Sequence, residues 1–329
     1  MSFLNKKLLV VVGTSVVLAC ILAIFSVRTP HQKTKIAIAN WGPHSSLEET
    51  IHGLKDGLAQ AGFKENEQVQ YDISHVNFDP SLIGQMIAKL KAAHPSVLVA
   101  MATPVAQRAK ADVKDIPVVF TNITDPIEAG LVDADNRPHG NVTGVSERQD
   151  LDSFIDFAKK FLPQATRIGM LFATAEANDR ALVKMMESAA AHHSMLVLAI
   201  PVDEPRDIPV RMQKFRNAVD FIYVGTSGPI QPSLPAIISE ADRMQIPVFN
   251  ADSEQVKLNQ AFGAFAVSYY QVGINTAQVV AKILGGARPE DIEPIYPSLR
   301  DHTGFVSRKK ATQLGIKLPE TLNHVTVVE

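Results

Sequence analysis

From Lys35 onward the chain alternates short apolar, β-rich runs with amphipathic stretches of helical length, and this alternation constrains the fold more than any other feature. Ile36 to Asn40 reads as a strand, and Leu47 to Ala61 as a helix closed by Gly62. Strand Val69–His75, helix Pro80–Ala93, strand Val97–Ala102, helix Pro104–Ala111 and strand Val118–Phe120 follow. After the glycine-bracketed run GNVTGV at 140–145 the pattern restarts, with helix Leu151–Leu162, strand Arg167–Phe172, helix Asn178–His192 and strand Met195–Pro201. Helix Ile208–Asn217, strand Phe221–Val224, helix Leu234–Met244 and strand Val248–Asn250 complete the second series. Repeated βα units of this kind give a parallel, doubly wound α/β sheet, and two series predict two such sheets.

The last third does not simply extend the second series. Ala261–Val267 reads as a strand, Tyr269–Leu284 as a long helix stopped by Gly285-Gly286, and Leu299–Val306 as a further strand before a short helix near Ala311. With GNVTGV, these give three connecting strands between two Rossmann-like lobes, so a hinge with a binding cleft is expected. The expected division is 34–143 plus 268–297 for lobe 1, and 144–267 plus 298–329 for lobe 2. In an open α/β sheet, ligands bind beyond the carboxyl ends of the strands. The polar run Thr121, Asn122, Thr124 and Asp125, directly after the apolar Val118–Phe120, stands in such a position.

Residues 1–33 are expected to be an export signal or membrane anchor with a short linker. Lys6-Lys7 precede Leu8–Val27, twenty residues without a charge, closed by Arg28. That length suits a membrane span or the apolar part of an export signal, and the flanking lysines favour a cytoplasmic amino end with the remainder outside. The single cysteine, Cys20, lies inside this run, so the exported part has no thiol. Val17-Leu18-Ala19-Cys20 resembles a lipoprotein cleavage box, while the apolar Ile21–Val27 behind it suits an uncleaved anchor; tethering by Leu8–Val27 and by a lipidated Cys20 both stay open.

The formal charge of −2 argues against a nucleic-acid footprint. No GxGxxG opens a helix, and there is no Walker loop, GxSxG elbow or HExxH. Adjacent His192 and His193 do not share a helix face, so no metal site is expected there. Ser227 has no identifiable base, and a non-enzymatic protein without a cofactor is expected.

Several segments carry a more specific resemblance: Thr103-Pro104, PVVFTNITDP at 117–126, GNVTGV, Ala177-Asn178, Tyr223, IPVF at 246–249 with Asp252, and Tyr269 with Gly273. Lys309-Lys310-Ala311 and Leu314-Gly315-Ile316 complete it. The chain from about 35 to 317 resembles the type I periplasmic binding proteins, in particular the substrate-binding lipoproteins of ABC transporters that include tryptophan- and tyrosine-binding members. The resemblance implies an extracytoplasmic monomer that closes around a small molecule, an amino acid above all, and presents it to an ABC permease. It implies ligand contacts from the strand ends: Asn40, Trp41, His44 and Ser45 after the first strand, Thr103 after the third, and Thr121, Asn122 and Thr124 after the fourth. In the second lobe, Asn178, Asp179, Thr226, Ser227 and Asp252 hold equivalent places, and Tyr269 opens the long helix at the second crossing.

Two departures bear on the ligand. Family members similar to the amino-acid binders carry Asn-Ser where this chain has Asn178-Asp179, and Thr-Asp where it has Thr226-Ser227. A buried ammonium needs an anion or several acceptors. Asp179 is therefore expected either to replace the acid missing at Ser227, with Asp252 as a second anion, or to cap the helix that begins beside it. A membrane-anchored sensor ectodomain signalling to a partner protein is the alternative function, and a neighbouring permease and ATPase would decide against it.

Overall fold

The computed structural model describes residues 33–329. The expected anchor and Cys20 lie outside these residues. Among the described residues no helix is long and apolar enough to cross a membrane.

Two sheets organise the chain. The first has five strands, β1 (Thr34–Asn40), β2 (Val69–His75), β3 (Val97–Met101), β4 (Val118–Ile123) and β5 (Val142–Ser146), all parallel in the order β2-β1-β3-β4-β5. Helices α1 (Ser45–Gln60), α2 (Ile83–Ala92) and α3 (Thr103–Asp112) connect them. The central strands β3 and β4 are buried at every position, as parallel strands covered on both faces must be.

The second sheet has seven strands. β6 (Arg167–Phe172), β7 (Leu196–Pro201), β8 (Phe221–Val224), β9 (Val248–Asn250), β10 (Gly263–Val267), β11 (His302–Ser307) and β12 (Val325–Val328) stand in the order β12-β11-β10-β9-β8-β6-β7. Only β10–β11 is antiparallel. Its helices are α4 (Leu151–Lys159), α5 (Ala177–His192), α6 (Ile208–Met212), α7 (Leu234–Met244) and α8 (Glu254–Lys257). On one face, Phe154, Phe157, Phe221, Phe249 and Phe262 interlock at centroid distances of 5.2–6.1 Å, the edge-on geometry that aromatic quadrupoles favour.

The long helix α9 (Tyr269–Leu284) follows β10 but packs on the first sheet, and α10 (Arg308–Gln313) returns to the second. The chain thus passes between the sheets three times. GNVTGV, expected to be the first connecting strand, is a full member of the first sheet, because Val142–Gly144 pair with Val118–Phe120 and Ser146 with Ile123. The passage itself is Glu147–Asp150. Leu299–Asp301, expected to begin a strand, is a 3-10 turn held by reciprocal Ser298 and Asp301 bonds, and extended pairing starts only at His302. The Ile208–Asn217 helix breaks after Met212 into a 3-10 turn, Gln213–Phe215. α8 and β12 had no counterpart in the expected pattern.

The three passages are laced together. Ser268 N–H donates to Asp301 O at 2.8 Å, and Ile295 exchanges backbone bonds with Gly144 and Ser146 at 3.0 and 2.8 Å. His302 Nε2 accepts Asp150 N–H at 3.2 Å, its Nδ1 bonds Ser298 O at 2.9 Å, and its ring stacks on Phe265 at 5.3 Å.

α1 and α9 touch backbone to backbone. A Cβ on Gly53 would stand 2.1 Å from Tyr270 O, and one on Gly273 would stand 2.2 Å from Thr50 O. This approach fixes the second passage against the helix that opens the cleft. Gly273→Ala is expected to lower stability by about 1–3 kcal/mol through overpacking. Denaturant unfolding checks this, and an unchanged midpoint would show that the two helices can separate freely.

Candidate functional site

The carboxyl ends of both sheets face each other across a cavity holding about 580 Å³ of empty space, its mouth included. From lobe 1 it is lined by Trp41 and Phe78, by His44, Ser46 and Leu47 at the start of α1, by Ala102–Pro104 at the start of α3, and by Asn122 and Thr124 after β4. Glu147 and Tyr269 stand at two of the passages. Lobe 2 adds Glu176, Asn178, Thr226–Gly228, Gln231 and Asp252.

Ten of the fourteen expected ligand residues line this cavity: Trp41, His44, Thr103, Asn122, Thr124, Asn178, Thr226, Ser227, Asp252 and Tyr269. Four are elsewhere. The Asn40 side chain closes its own turn by accepting Gly42 N–H at 3.3 Å. Ser45 is exposed on a neighbouring groove. Thr121 is buried against α9, its hydroxyl 2.9 Å from that of Thr276.

Asp179 stands behind the wall. Its carboxylate accepts Ala173 N–H at 2.6 Å, the Ser227 hydroxyl at 2.7 Å and Asn178 Nδ2 at 3.1 Å. Neither expectation for it describes this place, since Glu176 is the N-cap of α5 and Asp179 reaches back to the preceding loop instead. It fixes Ser227 and Asn178, which do line the cavity.

Backbone strain aims several groups. Asn122 is left-handed (φ 56°) at the point where the β4–β5 register slips, so its side chain turns out of the sheet into the cavity. Its Nδ2 donates to Thr50 Oγ1 at 3.0 Å and lies 3.5 Å from Glu147 Oε2, while Oδ1 has no partner. Ala102 (φ 71°) leaves the start of α3 without a side-chain cap at the cavity wall, where Pro104 has no N–H and Ala106 N–H is spent on Ala102 O. Phe78, carried in by two successive left-handed residues, packs edge-on against Trp41 at 6.2 Å.

The lobes meet along this seam. The Thr124 and Thr226 hydroxyls are 3.4 Å apart, and Lys184 on α5 bonds Glu128 of lobe 1 at 2.8 Å. A Cβ on Gly228 would lie 2.6 Å from Trp41 Nε1, so glycine admits the indole against lobe 2. The cleft is therefore closed.

Carboxylates dominate the polar lining. Glu147, Glu176 and Asp252 line the cavity, and among the described residues no lysine or arginine does. Burial pushes the Glu147 carboxyl up to about 7, with the charge of Asp252 adding to it against bonds from Thr226, Asn122 and Thr124. Burial likewise pushes Asp179 up to about 7 and raises Glu176. Trp41 Nε1, Asn122 Oδ1, Asn178 Oδ1 and Tyr269 OH are buried without partners. Such groups are costly unless something in the cavity meets them. Among the described residues no group of three or more His, Cys, Asp or Glu is arranged to hold a metal ion.

Sequence reasoning missed Ser46, Leu47, Phe78, Ala102, Pro104, Glu147, Glu176, Gly228 and Gln231. Glu147 and Glu176 had a usable signal, since each directly adjoins a segment already marked as a strand end or crossing. Phe78 had none, because its place depends on two left-handed residues after β2.

The family described as ABC transporter substrate binding protein matches residues 35–327. A tyrosine-binding protein of Clostridioides difficile (strain R20291) is 26% identical over 266 residues, which span 80% of this chain and 77% of that protein. An ABC domain from Streptococcus pneumonia in complex with L-Trp superposes with a TM-score of 0.82 at 28% identity, covering 88% of this chain and 97% of the other. A ligand-free, open substrate-binding protein with adhesive properties from Clostridium difficile superposes with a TM-score of 0.71 at 26% identity, covering 90% and 99%. The lower score against the open form agrees with the closed seam.

The raised carboxyls set a pH dependence. A carboxyl whose folded pKa exceeds its unfolded value stabilises the fold fully below the unfolded value, near 4, and loses that contribution as pH rises through the folded value. For Asp179 and Glu147 the folded value is about 7. The Tm of the ligand-free protein should therefore fall between pH 5 and pH 8. Asp179→Asn, which keeps an oxygen for Ala173 N–H but no charge, should flatten part of that fall; an unchanged profile would mean that Asp179 titrates normally.

Proposed function

This chain belongs to the ABC transporter substrate-binding protein family, and we propose that it captures an amino acid, an aromatic one above all, in the interlobe cavity for uptake by a permease. The family is one of extracytoplasmic solute-binding proteins, not of enzymes. The observation that carries the ligand class is a cavity wall that sets aromatic side chains beside three carboxyls and two unpartnered amide oxygens.

Trp41, Phe78, Leu47 and Tyr269 offer apolar surface to a ring. Glu147, Glu176, Asp252, Asn122 Oδ1 and Asn178 Oδ1 call for hydrogen-bond donors, which suits an ammonium group. The uncapped start of α3, with the Thr103 hydroxyl and Trp41 Nε1, supplies donors for a carboxylate. A sugar would meet the acceptors with hydroxyls but leave the carboxylate charges unbalanced. The tyrosine- and tryptophan-binding relatives support the same reading.

The mechanism is closure, not chemistry. Ligand settles on one lobe, the other closes on the laced passages, and the closed seam is the form a permease reads. A tether at Leu8–Val27 or at a lipidated Cys20 keeps the receptor beside that partner, and a single copy suffices for the cycle.

A thermal-shift series tests the ligand class. L-Tryptophan, L-tyrosine or L-phenylalanine should raise the Tm, with a stabilisation of about 2.7 kcal/mol at a hundred times the Kd. Trp41→Ala should weaken that shift. A shift from a sugar or nucleoside, with none from any amino acid, would contradict the assignment.

A further inference from the structure

Resting on the reading that the ligand bears an ammonium group, we propose that Glu147 is the seat of that ammonium and that binding exchanges a proton for it. In the ligand-free cavity part of the population holds Glu147 as the neutral acid. The ligand enters as R–NH3+, the Glu147 O–H bond breaks, the proton leaves to solvent, and the carboxylate keeps the bonding pair and faces the ammonium.

The position of Glu147 leads to this assignment. It begins the first passage, directly after β5, and its backbone is fixed by Glu147 N–H donating to Ile123 O at 2.9 Å. The side chain is 95% buried at the cavity wall. Among the described residues its one side-chain contact is the Asn122 amide, 3.5 Å from Oε2. That partner carries no charge.

Two unpartnered amide oxygens line the same cavity as Glu147. Asn178 Nδ2 donates to Thr226 O at 3.2 Å and to Asp179 Oδ1 at 3.1 Å, which fixes the amide and leaves Asn178 Oδ1 without a partner. Asn122, whose Nδ2 lies 3.5 Å from Glu147 Oε2, also presents an unpartnered Oδ1. One carboxylate and two amide oxygens match the three N–H donors of a primary ammonium.

The other acids are engaged. Asp179 takes three bonds and does not line the cavity. Asp252 accepts Glu254 N–H at 2.6 Å at the start of α8. Glu176 is bonded by Gly228 N–H and Asn178. Among the described residues Glu147 accepts only the long Asn122 contact at 3.5 Å, so its charge is little compensated until a ligand arrives.

The groups facing it oppose ionisation. Asp252 from lobe 2 lies within electrostatic reach, and the phenols of Tyr223 from β8 and Tyr269 from α9 are raised by burial and then by the charge of Glu147. Glu176 shares the cavity, and among the described residues His44 at the start of α1 is the one basic-capable side chain lining it. Burial pushes Glu147 up to about 7 in this surrounding, so acid conditions favour the empty, protonated site and neutral to basic conditions the loaded one.

Isothermal titration of the protein with L-tryptophan, in buffers of different ionisation heat, reads the exchange. At pH 6 close to one proton should be released per ligand, with little release at pH 8, and the affinity should fall about fivefold to tenfold from pH 7 to pH 6. Glu147→Gln should abolish the release and flatten the pH dependence, while Glu187→Gln, at an exposed carboxyl of α5 away from the cavity, should retain both. Binding of tryptophan without proton release by the unaltered protein, or with release that survives Glu147→Gln, overturns the proposal and leaves the ligand class standing. If tryptophan fails to bind, the same titration with tryptamine tests Glu147 directly; failure of both overturns the ammonium seat together with the ligand class.

Discussion

A surplus of buried negative charge at the seam between two lobes governs this structure. Closing the cleft strips water from Glu147, Glu176 and Asp252, and among the described residues no lysine or arginine lines the cavity with them. Desolvated carboxylates without a counter-ion resist burial, either by holding a proton or by keeping the lobes apart. A cationic group inside the cavity resolves the conflict, so closure and ligand charge are two sides of one equilibrium. The direct interlobe contacts are small by comparison. Lys184–Glu128 is an exposed ion pair that solvent screens, and the Thr124–Thr226 approach is at the edge of bonding distance.

The scaffold makes that equilibrium a matter of rigid bodies. The backbone contact of α1 with α9 holds the cleft-facing start of α1 and the second passage as one piece. Thr50, fully buried in that contact, bonds the Tyr269 carbonyl and orients the Asn122 amide. On the opposite side Asp179 fixes Ser227 and Asn178 against the loop after β6. Acceptors on both walls are thus set before a ligand arrives, which reduces the ordering cost of binding.

Much of the architecture could be read in the sequence. Val69–His75, Arg167–Phe172, Phe221–Val224, Leu234–Met244 and Tyr269–Leu284 stand where periodicity and punctuation put them, because each is long or strongly apolar and bounded by turn residues. β12 escaped because Val325–Val328 gains its place only by pairing with β11, a contact with no local signal. α6 was read too long because an apolar period continues into a 3-10 turn.

The site was less legible than the fold. Strand-end logic reached Asn122, Thr124, Asn178 and Thr226, which face the cavity. The same logic included Thr121, whose side chain takes the opposite side of β4 to meet α9. It singled out Asp179 for its charge, yet the structure buries that charge one layer behind Ser227, and Glu147 faces the cavity from the first passage. The side a strand-end residue faces is set by left-handed turns and register slips, and these are hard to foresee from residue type.

A crystal structure of the protein grown with L-tryptophan at pH 8 tests the central claim most directly. The account predicts closed lobes, the indole against Trp41 and Phe78, and the ammonium nitrogen within hydrogen-bond distance of Glu147 and the side-chain oxygens of Asn122 and Asn178. A ligand carboxylate at Glu147, or an ammonium seated on Asp252 or Glu176 instead, would contradict it.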